Sequence, residues 1–395
     1  MALALEVVLG GGSRERAVAL ARRALEGSPG LAYEPTGSTI VFFPITALIE
    51  CGEHAACLPV LDRLVEDGQR TGSLLAYVSA ATFRSRVRLL LGDLVGAEAD
   101  AVSAWSLLRD TFAGPNAGQT LAALVEVHIA RGDLAQAEAE LQSSGLADAP
   151  LDQINLLLLG SARLKLHVAQ RRWDAALAES DRLEDACATL EVELSGTLDR
   201  APNRVRTLLG LGLGQDATAL AAAAVDSARR FGAPYGLAAA LRAYGVCLSD
   251  DEAAPVFREA VDVAERADCP LLLAGALLDH GTLLRRTGSK LDARVPLRRA
   301  LHLASEAGAH ELARDTRAEL LATGARPRRA ALSGSDSLTA REHRVARMAA
   351  NGLSNPDIAQ ALFITRRTVE KHVGEVLRKL ELRSRTEIAA ALENL

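Results

Sequence analysis

Basic side chains are concentrated near the carboxyl end of the chain, within one short stretch. They are Arg366, Arg367, Lys371, Arg378 and Lys379. Lysine and arginine neutralise phosphates and donate to base edges, which is the chemistry of binding double-stranded DNA. Thr368 and Glu370 lie in the same stretch. A threonine hydroxyl suits a phosphate oxygen, and a carboxylate can accept from the amine of a cytosine.

The charge of the chain is divided unequally between its two parts. Residues 325–395 contain 13 Lys/Arg and 8 Asp/Glu, a net charge of +5. Because the whole chain carries -5, residues 1–324 carry -10. This balance excludes a protein that binds nucleic acid over its whole surface. It indicates an acidic body joined to a basic C-terminal domain that makes the DNA contact.

Other kinds of chemistry lack their sequence signals. The five cysteines are widely spaced and form no CxxC pair, and the histidines are dispersed, so we predict no metal site, no catalytic residue and no enzyme. No GxxxxGK[ST] loop occurs, and Gly288-Ser289-Lys290 follows no strand, so we predict no cofactor. Free buried thiols and a short apolar N-terminal run predict a cytoplasmic protein without a membrane span.

The basic stretch needs helices to position it, and start signals predict four of them. Thr339 with Glu342, Ser354 with Asp357, and Ser384 with Glu387 are capping boxes or close to them, and Thr365 caps a helix over 366–380. Apolar residues at helical spacing form the predicted inner side: Val345, Met348, Ala349, Ile358, Ala359, Leu362, Val369, Val373, Val376 or Leu377, Leu380, Ile388 and Leu392. A helix, a tight turn and a second helix is the arrangement that places the second helix in the major groove. Its exposed face would continue through Gly374 to Arg378.

Residues 338–392 resemble the LuxR/GerE family of DNA-binding domains. The matching positions are Leu338-Thr339, Glu342, Gly352, Ser354-Asn355, Ile358-Ala359, Leu362, Thr368-Val369, His372-Val373, Lys379-Leu380 and Ser384-Arg385. The resemblance implies base contacts from Glu370, Lys371 and Gly374. It implies phosphate contacts from Thr365, Arg367, Thr368, and Arg378 or Lys379. Departures are Pro356 and Asp357, where basic residues and Glu are usual, and Gly374 offers no side chain to a base.

Several assignments in this domain have two interpretations. Glu370 accepts from a cytosine or pairs with a neighbouring arginine, and Arg385 clamps a phosphate or is a solvated charge. Ile388 and Leu392 pack inside the domain, or they form a dimer contact of the kind that the resemblance implies. A dimer would occupy half-sites about one DNA turn apart.

Residues 1–324 contain a repeated helical unit. Polar breaks followed by amphipathic helices occur at Gly12-Ser13, Gly52-Glu53, Gly92-Asp93, Gly132-Asp133, Arg172-Trp173, Gly214-Gln215, Asp250-Asp251 and Gly288-Ser289. The second residues of these breaks are separated by 40, 40, 40, 40, 42, 36 and 38 positions. Helix pairs that cannot bury their apolar faces alone stack into a solenoid. The units resemble tetratricopeptide repeats, and 310–324 is predicted as a closing helix.

The predicted organisation is therefore all-α: a helical-repeat domain over 1–324, a flexible linker over 325–337, and a helix-turn-helix domain over 338–395. This order resembles the rear part of large ATP-binding LuxR-type regulators, without their ATPase. The chain is then a short member or the C-terminal portion of such a protein. We predict a transcription regulator that binds DNA as a homodimer and whose body senses a peptide, protein or small-molecule effector, with RNA polymerase as a further candidate partner. The alternative is a repeat scaffold for protein assembly.

Overall fold

The computed structural model describes residues 2–9, 12–26, 41–109, 116–192, 199–325, 340–362, 364–380, 382 and 384–393. Within these ranges all regular elements are helices and none is a strand, so the predicted all-α class is confirmed. The repeat body contains α1 (Ala2–Leu9), α2 (Arg14–Glu26), α3 (Phe42–Glu50), α4 (His54–Thr71), α5 (Leu74–Leu90), α6 (Leu94–Arg109), α7 (Ala117–Arg131), α8 (Leu134–Ser143), α9 (Ile154–Ala169), α10 (Trp173–Thr189), α11 (Arg200–Gly210), α12 (Gly214–Phe231), α13 (Pro234–Gly245), α14 (Asp250–Ala264), α15 (Pro270–Arg286), α16 (Lys290–Ala307) and α17 (His310–Ala322). The C-terminal domain contains α18 (Ala340–Ala350), α19 (Asn355–Ala361), α20 (Arg366–Lys379) and α21 (Glu387–Glu393).

Tight turns join the two helices of each pair, and glycine makes several of these turns possible. Gly52, Gly92 and Gly132 have φ values of 80°, 80° and 87°, which a residue with a side chain adopts only with strain. At the first of them, Gly52 N donates to Ile49 O and the next amide, Glu53 N, donates to Leu48 O, at 3.0 and 2.9 Å. These bonds satisfy carbonyls at the end of the helix.

Two of the predicted breaks begin inside a helix. Asp250 is already the first residue of α14, which follows Ser249. Gly212 has a φ of 79° and forms the turn, whereas Gly214 is already the first residue of α12. Arg171, with a φ of 56°, takes the same conformation in the preceding pair without being a glycine. The turn residues from Gly52 to Gly212 are thus separated by 40, 40, 39 and 41 positions.

The solenoid winds back on itself after five helix pairs. The turn between α3 and α4 lies against the start of α13, since a Cβ added to Gly52 would be 3.7 Å from Pro234 Cδ. In the same way, a Cβ on Gly92 would be 3.3 Å from Pro270, and one on Gly132 would be 3.0 Å from Glu311 Cβ. Leu94 is fully buried in one cluster with Ala304 and Ala309, which belong to the later turn of the superhelix. Pairs far apart in the sequence thus share a core, in addition to the neighbour contacts of a simple solenoid.

The C-terminal domain has its own core. Val345, Ile358, Val369, Val376 and Ile388 are fully buried together, as predicted from the inner stripe. The predicted cap Thr339 and linker positions 326–337 lie outside the described residues. No helix among the described residues combines the length and apolar character needed to cross a membrane.

Candidate nucleic-acid interface

Two side-chain caps set the geometry of the helix-turn-helix. Ser354 and Asp357 form the predicted capping box at the start of α19, where Ser354 N donates to Asp357 Oδ2 at 3.1 Å. Thr365 precedes α20 with extended backbone, and its Oγ1 accepts from Thr368 N at 3.2 Å. Each cap satisfies an amide that has no partner inside its helix, and therefore determines where the helix begins.

Burial of one side of α20 determines which side faces solvent. Val369, Val373 and Val376 are at most 9% exposed and recur at helical spacing on the domain core. The opposite side presents the predicted DNA-contacting residues Arg366, Arg367, Glu370, Lys371, Gly374 and Arg378, all of them exposed. The exposed residues of this helix include four basic side chains and one acidic side chain, so this face is net positive.

Two of the arginines on this face form ion pairs within the helix. Arg366 Nε lies 2.8 Å from Glu370 Oε1, and Arg378 Nη2 lies 2.7 Å from Glu375 Oε2. Such exposed pairs contribute a few tenths of a kcal/mol, roughly 0.3–0.5. DNA phosphates can therefore compete for both arginines. In the structure Glu370 pairs with Arg366, which is one of its two interpretations. A contact between Glu370 and a cytosine stays a prediction.

Lys379 differs from the other basic residues of α20 because its ammonium is engaged inside the domain. Lys379 Nζ lies 2.5 Å from Glu342 Oε2, and the two side chains are 18% and 7% exposed. This ion pair joins α20 to α18 across 37 positions of sequence. A phosphate contact from Lys379, which stays a prediction, would have to share this ammonium with Glu342.

Arg385 also holds the domain together. Its guanidinium donates to Asn355 Oδ1 and to Leu353 O, at the beginning of α19. The side chain therefore connects the segment before α21 to the first helix of the helix-turn-helix. The sequence predicted either a phosphate contact or a solvated charge for Arg385, because its partners inside the domain lie about 30 positions away.

The two predicted dimer residues occupy different environments. Ile388 is 0% exposed and belongs to the domain core. Leu392 is half-buried and packs at the edge of that core. Of the two, Leu392 retains side-chain surface for a partner, and its role in dimerisation stays a prediction.

A second candidate site lies in the repeat body and was not predicted from the sequence. A cavity with a volume of about 340 Å³ is lined by the first helices of successive pairs, from α3 to α15. Lys165 lies in it between two carboxylates, with Nζ 2.7 Å from Glu126 Oε1 and 3.0 Å from Asp199 Oδ2. Although burial disfavours its charge, Asp199 and Glu126 raise the pKa of Lys165 above its ordinary value. In the sequence, this site is indicated by charged residues such as Glu126 and Lys165 on helices that are otherwise mostly apolar.

The C-terminal domain has known relatives. Residues 336–392 match the luxR family of bacterial regulatory proteins, so this part of the chain is a LuxR-type helix-turn-helix domain. It is 54% identical over 50 residues to the nitrate/nitrite response regulator protein homolog of Haemophilus influenzae, which is 13% of this chain and 24% of that protein. It is 52% identical over 52 residues to the transcriptional regulatory protein YhcZ of Bacillus subtilis, again 13% and 24%. The match thus spans about a quarter of the length of these relatives.

The fold of the body also has a solved counterpart. The crystal structure of a Rap protein, complexed with Competence and Sporulation Factor, is similar with a TM-score of 0.50. The similarity covers 84% of this chain and 98% of the Rap protein, at 13% sequence identity. At this identity the similarity concerns the fold alone, and it supports the tetratricopeptide-like character of the body.

Proposed function

We propose that this protein is a sequence-specific transcription regulator whose body senses an effector and whose α20 enters the major groove of DNA. The observation that carries the proposal is the exposed, net positive face of α20 on a LuxR-type domain. A DNA-binding regulator of this kind would act in the cytoplasm.

In the proposed complex, the exposed residues of α20 have two tasks. Glu370, Lys371 and the backbone at Gly374 face base edges, where they select sequence. Around them, phosphates are bound by Thr365, Arg366, Arg367, Thr368 and Arg378, with Lys379 and Arg385 contributing from the edge of the face. Phosphate contacts position the helix, whereas base contacts specify the site.

The body is proposed to hold the effector inside its superhelix. The cavity supports this role because it offers a concave space with both charged and apolar walls. The Rap protein of similar fold was crystallised as a complex with Competence and Sporulation Factor, which supports effector binding by a body of this fold. We further propose a homodimer on DNA, with Leu392 at the contact.

A second candidate function, assembly of proteins on the repeat scaffold, is favoured by one surface feature. Leu291 and Val295 lie one helical turn apart on α16 and are 71% and 70% exposed. Exposed apolar pairs of this kind occur at protein interfaces. A scaffold of this class would not require DNA.

Mapping of bound DNA across the genome, followed by gel-shift titration on the recovered site, tests the first function. We expect Lys371→Ala to weaken specific binding by about 1–3 kcal/mol, as for a base-contacting side chain. Lys290→Ala is the matched control, since Lys290 is an exposed lysine on α16 of the body. Equal affinities of the wild type and Lys371→Ala would contradict the assigned contact. The absence of any specific DNA binding would favour the scaffold.

A further inference from the structure

We propose that the cavity of the repeat body binds a small organic anion, with Arg206 holding its charged group and apolar side chains holding its carbon chain. The inference rests on the proposed function for its biological role, because it names the chemical class of the effector. The binding itself can be measured without DNA.

Arg206 is the side chain on which the proposal depends. It lies on α11 and lines the cavity, and its surface remains accessible to solvent there. Among the described residues no carboxylate forms an ion pair with it; the two that act on it through space are Asp199 and Asp279. Asp199 accepts from Lys165 and Tyr235, and Asp279 Oδ2 lies 2.7 Å from Arg242 Nε. Both carboxylates that could neutralise Arg206 are therefore engaged elsewhere.

The lining of the cavity contains one more basic than acidic residue. The lining contains four basic residues, Arg86, Lys165, Arg206 and Arg242, and three acidic residues, Glu50, Glu126 and Asp199. Glu126 and Asp199 both hold Lys165. Arg206 and Arg242 both line the cavity, where their positive charges repel each other. An anion next to Arg206 would relieve this repulsion and would form charge-assisted hydrogen bonds.

The remaining wall of the cavity suits an aliphatic or aromatic body. Leu90, Ile129 and Leu272 line it, together with other apolar residues of the first helices. A volume of about 340 Å³ is at the small end of the range for ligand pockets, about 300–1,000 Å³. Space of this size fits a compact molecule with one charged end.

The position of the cavity would connect ligand binding to the shape of the body. One part of its wall comes from the early turn of the superhelix, including His54, and another from the later turn, including Tyr235 and Cys269. His54 Nδ1 and Cys269 Sγ are 3.2 Å apart across 215 positions of sequence, at the junction of the two turns. A ligand that contacts both turns would stabilise their packing on each other, because it binds the packed arrangement preferentially.

Calorimetric titration of the full chain with four six-carbon probes tests the proposal. The probes are hexanoate, hexyl phosphate, hexylammonium and hexanol, which share one apolar chain and differ in the head group. We expect hexanoate or hexyl phosphate to bind at least roughly tenfold more tightly than hexanol and hexylammonium. The ratio of the two anions distinguishes a carboxylate ligand from a phosphate ligand.

Variants of α11 connect the binding to Arg206. Arg206→Met should weaken binding of the anion roughly tenfold or more, and Arg206→Lys, which keeps the charge, should weaken it less. Arg204→Met is the matched control, because Arg204 is on the same helix but pairs with Asp181 at 2.6 Å and does not line the cavity. Equal binding of hexanol and hexanoate, unchanged binding to Arg206→Met, or no binding of either anion up to about 10 mM would overturn the proposal. Because no DNA is present, these outcomes are independent of whether the C-terminal domain binds its site.

Discussion

The ion pair between Glu342 and Lys379 yields the most direct test of how α20 is held. Glu342→Gln preserves the shape of the side chain but leaves the ammonium of Lys379 without this carboxylate. In the native structure the two charged atoms are 2.5 Å apart and the side chains are 18% and 7% exposed. Removing one partner of a buried pair costs more than the pair contributes, because the remaining charge stays desolvated.

The magnitude follows from this partial burial. Hydrogen bonds to charged groups contribute about 1.5–3 kcal/mol, and breaking a fully buried pair costs about 3–5 kcal/mol. With Lys379 keeping some exposure, we expect Glu342→Gln to destabilise the C-terminal domain by about 2–3 kcal/mol. Hydrogen exchange with mass spectrometry on the full chain should show protection of α20 amides reduced by roughly 30- to 150-fold, without change in the body.

The variant Lys379→Met and the double variant complete the measurement. Removing both charges leaves no ammonium that has lost this carboxylate, so the double variant should be more stable than the sum of the single losses indicates. Asp357 provides a control, because Asp357→Asn alters an exposed cap in the same domain without touching the pair. If α20 in Glu342→Gln exchanges like the wild type, or if the two single losses are additive, the structural role assigned to Lys379 is refuted.

Three further outcomes are expected. Thr365→Ala removes the cap of α20, so the C-terminal domain should lose about 1 kcal/mol in denaturant unfolding. Gly132→Ala should lower the thermal midpoint of the body more than Gly288→Ala does. Both glycines have positive φ, but only at Gly132 would the new Cβ meet another helix, 3.0 Å from Glu311 Cβ. Burial lowers the pKa of His54 from 6.5 to about 4, so the unfolded chain takes up this proton first as the pH falls. The free energy of unfolding should therefore decrease as the pH falls from about 6.5 to 4, by at most about 3 kcal/mol. In urea titrations at several pH values, His54→Gln should make this free energy depend less steeply on pH.

Each of these outcomes has a result that would contradict it. Thr365→Ser should retain the cap, and equal losses in Ser and Ala variants would show that the hydroxyl is not the stabilising group. Equal thermal midpoints for the two glycine variants would remove the evidence that the superhelix packs on its next turn. A slope that His54→Gln leaves unchanged would assign the pH dependence to other groups.

The sequence alone determined which helices form and where several of them begin. The alternation of apolar helices with polar breaks predicted the helix pairs, and Thr365 and the pair Ser354–Asp357 predicted where α20 and α19 begin. These features depend on residues within a few positions of each other, through helical periodicity and capping. The exposed basic face of α20 followed for the same reason, since burying Val369 and Val373 leaves only one side for the charges.

The contacts between distant residues were decided by the tertiary structure. Lys379 and Arg385 were candidates for phosphate contacts, and the partners that both side chains have inside the domain lie 30 or more positions away in the sequence. The return of the superhelix, which places Pro234 against Gly52 and forms the cavity that Arg206 lines, joins segments up to 215 positions apart. No local pattern encodes such pairs, because curvature accumulates from a small rotation at each helix pair. Sequence thus determined which helices form and which side of each is apolar, whereas the winding of those helices decided what their charged side chains meet.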